Sequence, residues 1–472
     1  MSLISLMIAF GIASIMICVG VILRAKVPFL SKMMVPASVL AGIIGLIVMN
    51  SGLITAVDSN LYVDIVNYLF TITFISIGLT SNNQKSEKGS DSVGKQIAKG
   101  SIGLGFIWNI LYAATPAIGA LVILGVGGYF NMDAVYGLLI PFAFAQGPGQ
   151  AATFGTIMEQ EYGLVHAATV GVTFASIGFL VCFLVGVPLV RYGIKKGLSK
   201  HMKPDQIAGY VERGYFNKKE EREPLGDETM FSGNIDTMTF HFATIGICFL
   251  MAVGMSKVVS LIPGIGTTFG GMLFIYGMLA GYLVKFILKK MNAEHVLDNT
   301  FQSKITGWST DYLIVASFMA VPFSVISEWM IPILIEVVVI TLLSILVCIY
   351  FGKRLGGDND FERTVGLFGT VTGTVPSGVA LLRIIDPSLR SSTAVELGLM
   401  NVPMAASFTT VLTILAIASG QLSMTVGILL LLAPIPVYLI VLKGFKVWGK
   451  STYSFTSTTY SSRKELKLAS EE

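Results

Sequence analysis

Charge is what this chain has least of. Asp, Glu, Lys and Arg together make up 13% of its 472 residues, against roughly 25% in soluble domains. Hydrophobic residues reach 53%. The two values exclude an ordinary soluble globule and predict a polytopic, all-α membrane protein. The net charge of +4 is too small to suggest a nucleic acid partner. The basic residues lie between apolar runs, where they report orientation and form no patch.

Cysteine and histidine are also scarce, at four each. Cys18, Cys182, Cys248 and Cys348 stand alone in apolar runs, without C-x-x-C spacing or a histidine cluster. No disulfide framework or metal centre is expected from them, and they read as small buried hydrophobes. No Walker A, nucleophile elbow, H-E-x-x-H or other catalytic constellation occurs. An enzyme and an organic cofactor are therefore not expected. The first run, Ser2–Leu23, lacks a basic leader and a small-residue cleavage site, and reads as a retained helix.

Glycine is plentiful, at 50 residues, and in two places it interrupts an apolar run. The stretch from Gly366 to Pro387 reads GLFGTVTGTVPSGVALLRIIDP and is broken at Pro376. The stretch from Gly137 to Gly155 reads GLLIPFAFAQGPGQAATFG and is broken at Gly147-Pro148-Gly149. Irregular backbone at membrane depth survives only where protein buries it or it lines a wet cavity. Each stretch is thus predicted to form a re-entrant hairpin. With Pro148 and Pro376 aligned, Gln146 matches Thr374, Gly149 matches Ser377 and Ala152 matches Ala380. Paired interrupted segments in two halves of a membrane protein mark a transporter binding site.

A spanning helix needs about 20 apolar residues. That rule predicts helices at about 3–23, 35–53, 64–81, 101–125 and 164–190, with a hairpin at about 135–158 before the fifth. A charged linker, 191–237, follows. The second half repeats the pattern with helices at about 238–260, 267–288, 309–327, 330–351 and 393–419 and a hairpin at about 364–388. A further helix at about 423–443 has no counterpart, and a Ser-, Thr- and Tyr-rich tail, expected to be mobile, ends the chain. The domains are therefore 1–190, the linker 191–237, 238–420, and 421–472. Leu40-Ala41-Gly42 recurs as Leu279-Ala280-Gly281, and Gly277 and Gly281 form a GxxxG spacing.

Lys and Arg follow helices 1, 3, 5, 9 and the last helix and precede helix 8, whereas the loops after helices 2, 4, 8 and 10 have none. The positive-inside rule places the N-terminus outside and the C-terminus in the cytoplasm. Five spans per half make the repeats inverted, so the hairpins enter from opposite faces and their tips meet near the midplane.

Backbone N–H groups at the tips suit a carboxylate, and free carbonyls with hydroxyls suit Na⁺. The substrate candidates are Gln146, Gly147, Gly149, Gln150, Thr374, Ser377, Gly378, Arg383 and Asn401. The Na⁺ candidates are Thr370, Thr372, Thr374, Thr173 and Ser176. The competing reading is that the glycines and threonines serve only packing. Arg383 could grip a carboxylate, snorkel to the cytoplasmic face or pair with Asp386. Asn401, Thr173 and Ser176 could equally hold helix to helix. Glu396 could be a coupling carboxylate or interfacial, and Asp64 and Asp311 read as N-caps.

The motifs GPGQAATFG at 147–155 and GTVTGTVPSGVALL at 369–382, the run Phe74-Ile75-Ser76-Ile77-Gly78-Leu79 and the pair Thr310-Asp311 together resemble the bacterial sodium/glutamate symporter family. The resemblance implies a homodimeric secondary transporter of the inner membrane. It implies Na⁺ as coupling ion, a small organic anion or amino acid, glutamate first, as substrate, and membrane lipid as surroundings. It further implies an elevator, with helices 3, 5, 8 and 10 and the hairpins moving against helices 2, 4, 7 and 9. Relative to the family's pattern, Pro148 stands near a histidine position, and VPSGVALLR lacks an asparagine and adds Arg383. An H⁺-coupled transporter using Glu396 or Asp386, and a channel or scaffold without coupling, are the alternatives.

Overall fold

The computed structural model describes residues 3–33, 35–54, 56–80, 91–199, 214–217, 222, 224–263, 266–323, 327–356, 359–386 and 391–455. Lys85, Lys88, the tail from 456 and much of the linker lie outside the described residues. Every regular element among those described is helical. The main helices are α1 (Leu3–Lys26), α2 (Ala37–Asn50), α3 (Ser59–Leu79) and α4 (Asp91–Val126). The first hairpin has a 3₁₀ turn (Ala134–Leu139) leading into α5 (Ile140–Phe144), and returns as α6 (Pro148–Tyr162). Next come α7 (Ala167–Lys195), α8 (Thr237–Ser260), α9 (Leu273–Lys290), α10 (Asn299–Met319) and α11 (Met330–Gly352). The second hairpin is α12 (Asp360–Thr372) and α13 (Val375–Ile385). The chain closes with α14 (Thr393–Ala418) and α15 (Met424–Gly444).

Eight of these helices are long and apolar enough to cross a membrane: α1, α3, α4, α7, α8, α11, α14 and α15. The protein is an integral membrane protein. The sequence pattern predicts eleven spans, and three fall short for identifiable reasons. The 14 residues of α2 reach only about 21 Å. Helix α9 carries Lys285, Lys289 and Lys290, and α10 opens on the polar NTFQSKITGWSTD.

These short or polar helices pack on protein. Gln302 and Ser309 of α10 are buried. The Ser76 hydroxyl of α3 lies 2.7 Å from both the carbonyl and the side-chain oxygen of Gln302, and the Thr73 and Ser309 hydroxyls are 2.8 Å apart. A Cβ on Gly281 would collide with the Ile75 carbonyl and the backbone of Gly78, so the glycines let α9 lie directly on α3. Gly42 of α2 likewise receives the Phe318 ring of α10.

Because those polar turns are covered, α3 and α10 begin earlier than hydropathy predicts. Asp58 caps α3 through the Asn60 amide at 3.0 Å, and Asp298 caps α10 through the Phe301 amide at 2.6 Å. Asp64 and Asp311 therefore lie inside their helices and are not N-caps. In the same way α4 takes in Lys95 and Lys99, begins ahead of the predicted residue 101 and runs for 36 residues.

At the centre, α4 packs on α11, the first arm of hairpin 1, α14 and α15. Helix α7 lies against both hairpins, and α3 touches α6, α9 and α10. Helix α14 is interrupted around Asn401–Pro403 and tightens into a 3₁₀ turn at Ala405–Ser407. After α15 the chain returns to the base of hairpin 2. The Gly449 and Thr452 amides donate to the carbonyls of Arg354 and Lys353 at 2.7 and 2.8 Å, and the Tyr453 hydroxyl meets Thr364 at 2.7 Å.

Candidate functional site

Both predicted breaks are real, and they meet. In hairpin 1, α5 ends with the Ala145 amide on the Pro141 carbonyl, and the Gly147 amide reaches the Ala143 carbonyl at 3.0 Å. Gly147 then takes φ 86° and ψ −178°, a region open essentially only to glycine. Pro148, whose ring presets a helical φ and whose missing N–H costs nothing in a first turn, starts α6. In hairpin 2, α12 stops at Thr372, Gly373 turns the chain at φ −141° and ψ −82°, and an extended Thr374 leads into α13, which has Pro376 in its first turn.

A Cβ on Gly147 would strike the Thr374 methyl and crowd the Gly373 carbonyl, so the two tips touch backbone to side chain. Neither α6 nor α13 has a side-chain cap. Their first-turn amides, Gly149 and Gln150 on one and Ser377 on the other, have no partner within their own helices. Each N-terminus carries a fraction of a positive charge, and each arm ending there contributes free carbonyls. Four helix ends thus converge on one place.

The glutamines expected at the first tip fit this picture. Gln146 and Gln150 are half-buried, and the amide oxygen of each is enclosed without a hydrogen-bond partner among the described residues. Thr374 Oγ1 and Ser377 Oγ stand 3.4 Å apart across the second tip. Gly378 is required there, since any side chain would hit Thr370 Oγ1 and the Gly366 carbonyl. Gly149 accepts the Phe70 ring of α3, and Thr153 of α6 donates to Asn67 of α3 at 2.9 Å.

The hydroxyl candidates share one feature. Thr173, Thr370 and Thr372 each donate to the carbonyl four residues back, at 2.7, 2.8 and 2.7 Å. The proton is spent inside the helix, and the lone pairs face outward. Ser176 is buried with its hydroxyl unpartnered. Two residues on, Gly178 backs onto the Thr372 carbonyl and the Phe144 ring, so α7 touches the ends of both first arms. Thr370 and Thr372 face different neighbours, Gly378 and the α7 residue Cys182 respectively.

Arg383 and Asn401 stand apart from this convergence. Arg383 is exposed on the outside of α13, and the exposed Asn401 gives its amide to the Gly398 carbonyl at 2.8 Å. Asp386 accepts from the Ser391 amide at 2.7 Å. Glu396, one of the two carboxylates considered for proton coupling, is fully buried and held in two places by Arg363: Nε to Oε2 at 2.7 Å and Nη2 to Oε1 at 2.6 Å. Asp360 adds a second contact to Arg363 at 3.1 Å, and Ser392 donates to Glu396 at 2.8 Å. The sequence reading misses Arg363 altogether. The signal for it is Asp360-Phe361-Glu362-Arg363, four residues with three charges at the mouth of an apolar hairpin.

Residues 3–388 match the sodium/glutamate symporter family. The chain is 22% identical over 404 residues to the sodium/glutamate symporter of Escherichia coli (strain K12), an overlap covering 84% of this chain and 92% of the relative. It is 22% identical over the same length to the sodium/glutamate symporter of Shigella flexneri. The chain belongs to the sodium/glutamate symporter family, a family of transporters and not of enzymes.

Proposed function

We propose that the protein is a secondary active transporter that carries glutamate, or a related carboxylate or amino acid, together with Na⁺ across the bacterial inner membrane. The observation that carries this reading is the meeting of two interrupted helices at Gly147 and Thr374. Both curated relatives are named as sodium/glutamate symporters, which supports the choice of substrate and ion. The substrate carboxylate lies at the uncapped N-termini of α6 and α13, where the amides of Gly149, Gln150 and Ser377 point at it. Gln146, Gln150 and Thr374 contact the rest of the substrate, and Gly147 and Gly378 keep the tips close. Na⁺ sits among carbonyls of the broken ends and oxygens of Thr173, Ser176, Thr370, Thr372 and Thr374. Arg383 and Asn401 join this site only if the substrate reaches beyond the tips.

The two halves, 1–190 and 238–420, are inverted repeats in this reading. Its support is the matched packing: α1 on α2 parallels α8 on α9, and Gly42 of α2 on α10 parallels Gly281 of α9 on α3. The hairpins with α3, α7, α10 and α14 move as an elevator against α2, α4, α9 and α11, which also form a homodimer contact. The N-terminus lies outside and the C-terminus inside.

The test is the thermal midpoint of the purified protein in detergent with glutamate, aspartate, glutamine, citrate or malate, in Na⁺ or in K⁺. A ligand that binds only the folded state raises the midpoint. A rise with glutamate that requires Na⁺ is expected. A rise with a different anion changes the substrate, and failure of Na⁺ to drive uptake of any of them in proteoliposomes rejects the coupling.

A further inference from the structure

Glu336 is the lone carboxylate within α11, and the tips make no use of it. It is 0% exposed, and neither carboxyl oxygen has a hydrogen-bond partner among the described residues. Its place in the fold is specific. Gly119 of α4 abuts Glu336 and Gly103 abuts Leu355, so α4 and α11 run antiparallel, with Glu336 opposite Gly119. The carbonyl of Gly137, in the first arm of hairpin 1, reaches the same spot. A Cβ on Gly119 would collide with both Glu336 Oε1 and Gly137 O. Gly137 in turn lies so close to Gly119 that neither can carry a side chain. The carboxyl is thus wedged at the junction of α4, α11 and hairpin 1.

Two oxygen acceptors side by side, with no donor between them, repel. An uncompensated carboxylate in such surroundings is also expensive. The neighbours offer no compensation. On α4 the nearby titratable group is Tyr112, itself without a partner, while Lys95 and Lys99 are near the opposite end. In hairpin 1, Tyr136 gives its hydroxyl to the Val165 carbonyl at 2.7 Å, and Asp133 accepts from the Val135 amide. On α12 the charged residues are Asp360, Glu362 and Arg363, beside the far end of α11, where Gly352 meets Thr364. On α7 they are Cys182 and, near its C-terminus, Arg191, Tyr192 and Lys195. None of these bonds to Glu336.

We propose that Glu336 is a proton-binding site at the contact between hairpin 1 and the α4–α11 pair, and that its proton holds that contact closed. With the proton bound, one carboxyl oxygen turns from acceptor to donor, and the group is neutral beside the Gly137 carbonyl. When hairpin 1 leaves α4, the carboxyl meets water and gives its proton to it. A proton favours this choice of ligand over a metal ion because the wall opposite consists of two glycines, and Na⁺ needs several more oxygens. The proposal rests on the reading that hairpin 1 moves against α4 and α11, and it makes that movement proton-linked.

The experiment compares wild type with Glu336→Gln, whose amide donates as the protonated carboxyl does and cannot ionise. Thermal midpoints without substrate are measured across pH, so the result does not depend on which anion is carried. The variant is expected to be the more stable, with a gap that widens as pH rises above the ordinary glutamate value of about 4.3, because each pH unit makes holding the proton tenfold less favourable. Superimposable pH profiles overturn the proposal. A Na⁺-dependent rise in the substrate-free wild type that the variant loses also overturns it, in favour of a metal ion. Infrared spectroscopy gives a second reading. A protonated-carboxyl band at neutral pH, missing from the variant, is expected, and its absence from wild type rejects the proton. In proteoliposomes the variant is expected to keep uptake and to flatten its dependence on pH.

Discussion

Gly147 lies against the methyl of Thr374, although 226 residues separate them and each sits at the break of its own hairpin. Its φ of 86° and this contact both forbid a side chain. Gly147→Ala is therefore expected to cost about 1–3 kcal/mol in backbone strain alone. Uptake should fall at least tenfold, while Thr374→Ser, which removes only the methyl, should retain it. Paired uptake and thermal unfolding measurements distinguish a tip defect from global unfolding.

Gln146 and Gln150 each hold an enclosed, unbonded amide oxygen. Removing a group that bonds nothing in the empty protein should not destabilise it. Removing a ligand to substrate should cost about one hydrogen bond, about 0.5–1.5 kcal/mol. Gln150→Ala is expected to weaken binding by up to about tenfold with the ligand-free midpoint unchanged. A midpoint that drops as far as affinity does would assign Gln150 to packing.

Arg363 and Arg383 should respond in opposite ways. Arg363→Met strands the buried Glu396 and is expected to cost about 3–5 kcal/mol. The double variant Arg363→Met/Glu396→Leu should recover much of that. Arg383→Ala removes an exposed side chain and should leave both stability and substrate affinity within about twofold. A tenfold loss of affinity would place Arg383 in the substrate site.

Ser176 tests the ion. Its hydroxyl is buried and unpartnered, so Ser176→Ala should not lower stability. If the oxygen serves Na⁺, the concentration of Na⁺ giving half-maximal uptake should rise severalfold while maximal uptake at saturating Na⁺ changes little. An unchanged Na⁺ curve removes Ser176 from the ion site.

The parts of this protein that are legible in its sequence are those where local chemistry leaves a mark. Pro148 and Pro376 sit in runs too apolar to be loops, each with glycines within three residues, and a proline there starts a new helix in its first turn. Gly277 and Gly281 likewise mark the face that lies on α3. The parts that are not legible depend on partners remote in the chain. Nothing near Gln302 or Ser309 announces that Ser76 and Thr73 will cover them, so hydropathy starts α10 about ten residues late. Arg363 reads as one charge among several at a membrane edge, since Glu396 lies 33 positions away. Glu336 is visible as a lone acid in an apolar run, but the glycines that wall it in, Gly119 and Gly137, are ordinary until the helices are placed.

The clasp between Arg363 and Glu396 also constrains how the protein is made. A ribosome delivers Arg363 first, and Glu396 follows only after the rest of hairpin 2 has emerged. Until then the guanidinium has Asp360 beside it but not its bidentate partner, and a buried charge lacking that partner is costly. Hairpin 2 cannot settle as a finished unit when its own residues are complete. Its buried guanidinium gains its two bonds to Glu396 only once α14 arrives. The Tyr453 and Thr452 contacts to the same base come later still. A nascent chain arrested between residues 363 and 396 should thus leave its second hairpin unseated. The order of synthesis is written into the pairing of two side chains.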